Sequence, residues 1–433
     1  MTQDLLGHEI RVADAASVAA VDDFVGGFIA CEARVVNILG AAEHDDSVIV
    51  QTCAAALHLF AESPAGPVNA RPHLARAAAS ALPATTRERT FLAAVQAWSE
   101  DDIARAIGLL EHQLREHPRD LAALKLAQYF HFNLGDARSM LRLALGSQAA
   151  AGDVAYLHGM TAFGYEQCHA LREAETAARR AIAMQAKEPW AHHALAHVML
   201  TEGRIAEGRA FMQDASRHWV GLNSFMETHD WWHLALFALE QRDDAAVLAL
   251  YDDRIWGVCK AYSQDQIGAV SLLARLELAG VDVGERWQDV ADHLASRTRD
   301  QVQPFLDVQY LYGLARAGRP EADELLRAIE DHAPRAPMFV RDAWQHVAVP
   351  AARGLLAHAR GDCARAAQSL AEALPRLEAI GGSHAQRDLF EQVLIDALLR
   401  SGQHARARDL LQPRAQASPE SVRLRERLAQ AAG

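Results

Sequence analysis

The residues of this chain best suited to chemistry are its histidines. There are 21 of them in 433 residues, nearly twice ordinary usage, and they gather in two strings, WAHHALAHV and THDWWHLAL. His193 with His197, and His229 with His233, are i, i+4 pairs. On a helix each pair projects from one face about a turn apart, which lets two imidazoles hold a metal or share a proton. A metal needs three or four ligands, and the nearest plausible carboxylate donors in sequence are Glu166, Asp230, Asp252 and Asp253. The pattern is not HExxH, so it names no metalloprotease. Without metal, a His–carboxylate pair serves as acid or base near neutral pH, where imidazole titrates.

Other groups flank these pairs. Trp190, Trp231, Trp232 and Trp256 are expected either in the core or as aromatic walls for a flat or apolar ligand. His192 falls where packing inside its own repeat is expected. Further on, IGGSHAQRDLF breaks one helix at Gly381 and Gly382 and starts another with Ser383 as N-cap. Gln386, Arg387 and Asp388 then stand at a helix start, where free backbone N–H groups suit an anion, and Arg387 is a candidate ligand clamp. The same stretch also reads as a plain inter-repeat turn.

The elements that must position these groups are helices. Segments such as LEHQLREHPRDLAALKLAQYF and EAETAARRAIAMQ place apolar residues three and four apart, and strand-like alternation is essentially missing. Turns at Asp101, Gly135, His169 and Gly203 follow one another every 34 residues, the length of a tetratricopeptide repeat. With those turns as repeat position 15, position 8 holds Ala94, Gln128, Ala162 and Ala196, and position 20 holds Ala106, Met140, Ala174 and Gly208. Mostly small residues fall where paired helices must touch; Gln128 and Met140 are the exceptions. The repeats span 87–120, 121–154, 155–188 and 189–222. The period slips at Arg242, and further turns recur at Gly318, Gly361 and Gly402. The expected fold is therefore all-α, a strongly curved solenoid of antiparallel helix pairs. Residues 1–86 form a helical capping region, 87–222 the regular repeats, and 223–433 irregular repeats.

In this register His193 and His197 take positions 5 and 9, His229 takes position 2 of the next repeat, and Glu166 takes position 12 of the preceding one. First helices of successive repeats stack side by side, so both pairs are expected to converge on one groove.

Composition excludes several classes of function. Half the residues are hydrophobic and 23% charged, which describes a globular chain. The net charge of −13 and pI near 5.9 argue against nucleic acid as a partner, because backbone phosphates demand clustered Lys and Arg. Cys31, Cys53, Cys168, Cys259 and Cys363 are odd in number and lack CxxC spacing, so reduced thiols are expected. No apolar run approaches a membrane span and MTQDLLGHEI has no export signature, so no membrane is expected and a cytoplasmic location is.

The strings YLHGMTAFGYEQ, EAETAARRAI, PWAHHALAHVMLTEGRIAEG, HDWWHLALFALEQRD, LYDDRI and GGSHAQRDLF resemble the tetratricopeptide repeat protein 38 family from about residue 85 to the end. The resemblance implies a curved helical array and no general activity. That family tends to carry Asp-x-His where this chain has Asp307 and Gln309, which removes one imidazole.

Two functions from different classes follow. One is a small-molecule- or metal-binding protein, and by extension an enzyme, acting through His193, His197, His229, His233 and Glu166; the cofactor is not specified. The other is a non-catalytic scaffold for a peptide. Peptide-clamping arrays offer Asn, Lys and Arg, whereas this one offers His and acid, which favours the first. A homodimer is compatible with either.

Overall fold

The computed structural model describes residues 2–432. Among these there is no strand, just the isolated bridges Gln3 to Glu9 and Glu32 to Leu222. Helices α1 (Ser17–Ala30), α2 (Val48–Leu59) and α3 (Ala65–Ala79) precede the repeats. The pairs are α4 (Thr86–Ser99) with α5 (Ile103–Glu116), α6 (Leu121–Asn133) with α7 (Ala137–Gly146), α8 (Ala155–Gln167) with α9 (Leu171–Met184), and α10 (Pro189–Thr201) with α11 (Ile205–Ala215). Then come α12 (Ser224–Glu240) with α13 (Asp244–Leu250), α14 (Ser263–Leu278) with α15 (Arg286–Leu294), and α16 (Pro304–Arg316) with α17 (Glu321–His332). The chain ends with α18 (Val349–Ala359), α19 (Cys363–Ala373), α20 (His384–Arg400), α21 (His404–Ala417) and α22 (Val422–Ala431). This is an all-helical α-solenoid of antiparallel helix pairs.

The turns explain why the pairs fold back. Asp101, Gly135, His169, Gly203, Arg242, Gly318, Gly361 and Gly402 all have positive φ, so each turn named from sequence reverses the chain through one left-handed residue. Gly280 (φ 83°) closes a further pair that the spacing did not single out. Wide π turns at Tyr251–Ile255 and Trp344–Ala348 lengthen two of the later helices, but the 34-residue period is lost before either, where the 3-10 turn Ser216–His218 and the 17-residue helix α12 delay the next turn to Arg242.

Small residues let helices approach. Ala106, Ala162, Ala174 and Ala196 are wholly buried, and a Cβ on Gly208 would strike the Phe237 ring. The two exceptions compensate one another, since the Gln128 amide donates to the Met140 carbonyl at 2.9 Å, satisfying a buried amide inside its own repeat.

The chain divides into two compact units. One holds the residues up to Phe132, Asp136–Ala194 and His218–Met226; the second holds Asn133–Gly135, Leu195–Arg217 and the chain from Glu227 onward. The division falls inside α10 and α12, and each of those helices is continuous across it. Each unit has its own apolar core, one including Val21, Val95 and Leu124, the other Leu272, Leu311 and Val393.

Candidate metal centre

Helix α10 begins with Pro189 at its first position, where the missing N–H is no loss, and Glu188 precedes it, its carboxylate accepting from the Ala191 N–H. From this start, 3.6 residues per turn put His193 and His197 on one face. Helix α12 does the same for His229 and His233. The four imidazoles meet: one ring nitrogen from each of His193, His197, His229 and His233 can be chosen so that all lie within 4.8 Å of one another.

The group is interior. His193, His197, His233 and His229 are 2%, 1%, 0% and 8% exposed, so the histidines read from sequence as lining a groove are enclosed. Ring centroids are 4.5 Å apart for His197 and His233 and 4.8 Å for His229 and His233. Trp232 lies flat on His229 (5.3 Å, 9° between planes) and edge-on to His233 at 4.9 Å. The Arg275 guanidinium covers Trp232 at 5.3 Å from the ring centre, so His229 is held by a stacked column. Burial, with a smaller contribution from His197, drops His229 to about 3, leaving a neutral imidazole with a lone pair for a Lewis acid at physiological pH.

Four imidazole nitrogens around one zinc ion stand about 2.0–2.1 Å from it. That requires nitrogens about 3.3 Å apart, a contraction from the 4.8 Å within which the four lie here. Neutral imidazoles suit zinc, copper and nickel and match poorly with magnesium or calcium. Asp230, next to His229 in the chain, is fully buried and is the carboxyl group nearest in sequence.

The remaining sequence-derived residues lie in varied settings. Glu166 is fully buried and accepts from the Gln167 amide; it is not one of the donors within the 4.8 Å group. Trp190 is half-buried, its ring 4.9 Å from His193 and 5.0 Å from Phe163. Trp231 sits under Arg254, and Trp256 donates to Asp289 at 2.6 Å. His192 accepts from Trp219 Nε1 at 3.3 Å inside its repeat, and burial, aided by His218, lowers it to about 4. Asp252 is chelated by Arg286 at 2.6 and 2.8 Å, and Asp253 is exposed.

At the start of α20, Ser383 and Gln386 form a reciprocal capping box, with Gln386 accepting from the Ser383 N–H at 2.8 Å. Arg387 donates to the Gly382 carbonyl. Asp388 is ion-paired with Arg414 and stands 3.7 Å from Arg275. Burial raises its pKa, but Arg414, Arg275 and Arg423 outweigh that and hold it at about 2. Asp307 and Gln309 lie buried on α16, with Asp307 accepting from Gln301 at 3.1 Å. Sequence reasoning missed Arg275, an isolated arginine in an apolar helix whose interior position carries no spacing signal.

No protein-family model matches the chain. Among solved structures it is similar to a monomeric mutant of IFIT1 with Gppp-AAAA, at 12% identity over 95% of each chain and a TM-score of 0.43. It is also similar to the TPR domain of P58(IPK), at 11% identity over 80% of this chain and 98% of that one, with a TM-score of 0.22. No helix among the described residues is long and apolar enough to cross a membrane.

Proposed function

We propose that this helical-repeat protein binds a divalent transition-metal ion through His193, His197, His229 and His233. The observation that carries the reading is the convergence of four buried imidazole nitrogens within 4.8 Å on two neighbouring helices. Zinc is the favoured occupant, since it accepts four nitrogen donors without a demanding geometry. Trp232 and Arg275 would fix ring orientation behind the ligands, the part that outer-shell groups play in metal sites. Catalytic use would require one ligand to yield its place to a substrate or water, with Asp230, next to His229 in the chain, and Glu166 as the candidate acids. The likeness of the quoted strings to the tetratricopeptide repeat protein 38 family belongs to the same proposal.

The test is native mass spectrometry beside the denatured mass, with elemental analysis of the same sample. About one equivalent of metal, lost in His197→Ala/His233→Ala, is expected. A chain that purifies without metal and takes up none of zinc, copper, nickel or cobalt would refute the reading and leave the peptide scaffold, which rests on the helix-pair architecture.

A further inference from the structure

A second set of unusual residues stands apart from the imidazoles, within the amino-terminal unit. Lys125, Tyr129 and Phe132 follow one another at i, i+4 and i+7 on one face of α6. Phe28, Phe60, Trp98 and Trp190 around them are half-buried where core aromatics would be enclosed, and Phe163 alone of the set is buried. Phe60 meets Phe28 at 5.1 Å, Trp98 at 4.9 Å and Tyr129 at 5.2 Å. On the other side, Phe163 meets Phe132 at 5.7 Å and Trp190 at 5.0 Å. The Lys125 ammonium joins the two sets, lying 5.5 Å from the centre of Phe28 and 5.1 Å from that of Trp190.

The charge at Lys125 lacks an anionic carboxylate partner. Its ammonium donates to the Ile29 carbonyl at 3.1 Å and to Cys31 Sγ at 2.9 Å, and no carboxylate among the described residues lies within ion-pair distance of it. The neighbouring acids are otherwise engaged. Glu32 is paired with Lys187 at 2.7 Å and Arg34 at 2.6 Å, and Glu62 accepts from the Tyr129 hydroxyl at 2.9 Å. Burial raises Glu188 to about 8 against the opposing pull of the Ala191 N–H and of Lys125, so it is mostly uncharged at neutral pH. A half-buried ammonium between two aromatic faces, without a carboxylate in contact with it, is electrostatically unfinished.

We propose that this face binds a small planar aromatic carboxylate, its acid group on Lys125 and its ring against the aromatic wall of Phe28 and Trp190. An ammonium supplies a charge-assisted hydrogen bond to a carboxylate, and the wall supplies ring stacking. The wall ends at Trp190, whose ring touches His193, but the binding stands whether or not the imidazoles hold metal.

The experiment titrates 2-naphthoate, with its neutral analogue 2-naphthamide as control, by calorimetry on the full chain. The acid is expected to bind about tenfold or more tightly than the amide, the gain of one charge-assisted contact. Lys125→Met, which keeps the stem and removes the charge, should bring the two to parity, while Lys125→Arg keeps the preference. Trp190→Ala should weaken both ligands. His197→Ala/His233→Ala should leave naphthoate binding unchanged, which separates this site from the metal centre. Equal binding of acid and amide by the unaltered protein, no saturable binding of the acid, or a preference that survives in folded Lys125→Met overturns the proposal. If Lys125→Met does not fold, the acid-to-amide ratio of the unaltered protein and of Lys125→Arg decides.

Discussion

Metal added to a site that exists in the folded chain and not in the unfolded one stabilises the fold by mass action. At a free concentration a thousandfold above Kd the gain is about 4 kcal/mol. A chain of 433 residues unfolds with an entropy of about 2.1 cal/mol/K per residue, or about 0.9 kcal/mol/K in total. The metal should therefore raise the melting temperature by about 4–5 °C. Removing two of the four imidazoles in His197→Ala/His233→Ala weakens binding about a thousandfold or more, because even an outer-shell partner is worth about 10–100-fold. At the same metal concentration the gain falls to about 0.4 kcal/mol, below half a degree. Differential scanning fluorimetry with chelated and zinc-loaded protein reads both shifts. Because the quantity compared is the zinc-induced change within each protein, cavities left by the alanines do not confuse it. A shift of the same size in the double variant, or none in the unaltered chain with zinc, copper, nickel or cobalt, would refute the four-histidine centre.

Three further outcomes follow from the packing and the buried charges. Glu188 is uncharged in the fold up to about pH 8 and ionised above about 4.5 when unfolded. The folded chain thus holds a proton that the unfolded chain releases, and stability declines as pH rises through that window. Between pH 5 and 7.5 the loss is about 3 kcal/mol, and Glu188→Gln should abolish this dependence in urea titrations at the two pH values. Asp388, held at about 2, behaves oppositely: its stabilisation is present above its unfolded value of 3.8 and fades below it. Asp388→Asn, which leaves the Arg414 and Arg275 guanidinium groups facing an amide, should cost about 2–4 kcal/mol at pH 7 by chemical denaturation; an unchanged midpoint would contradict that role. Ala174 is wholly buried where helix pairs meet, so Ala174→Leu should cost about 1–3 kcal/mol by the same measurement through forced separation of helices.

The repeat was legible because its signals are local. A left-handed turn residue, a small residue at a helix crossing and a 34-residue spacing each act over one or two turns of chain, so Asp101, Gly135, His169 and Gly203 could be read in order. Gly280 escaped notice because it lies off that spacing, which had already given out at Arg242: the 3-10 turn Ser216–His218 and the 17-residue helix α12 lengthen that repeat without leaving an unmistakable mark in composition.

For the site, the helical period alone determined that His193 pairs with His197 and His229 with His233, since four residues are close to one turn of any α-helix. Tertiary packing decided that the two pairs meet, that they are enclosed, and that Trp232 and Arg275 stand behind them. It likewise gave Asp252 to Arg286 and Asp388 to Arg414, and set Lys125 against Cys31, 94 residues away in the chain. These partners are brought together across tens of residues by side-chain volume and burial, which depend on every helix in the stack. One period can be counted along a chain; the neighbour across a helix crossing is chosen by how all the helices fit.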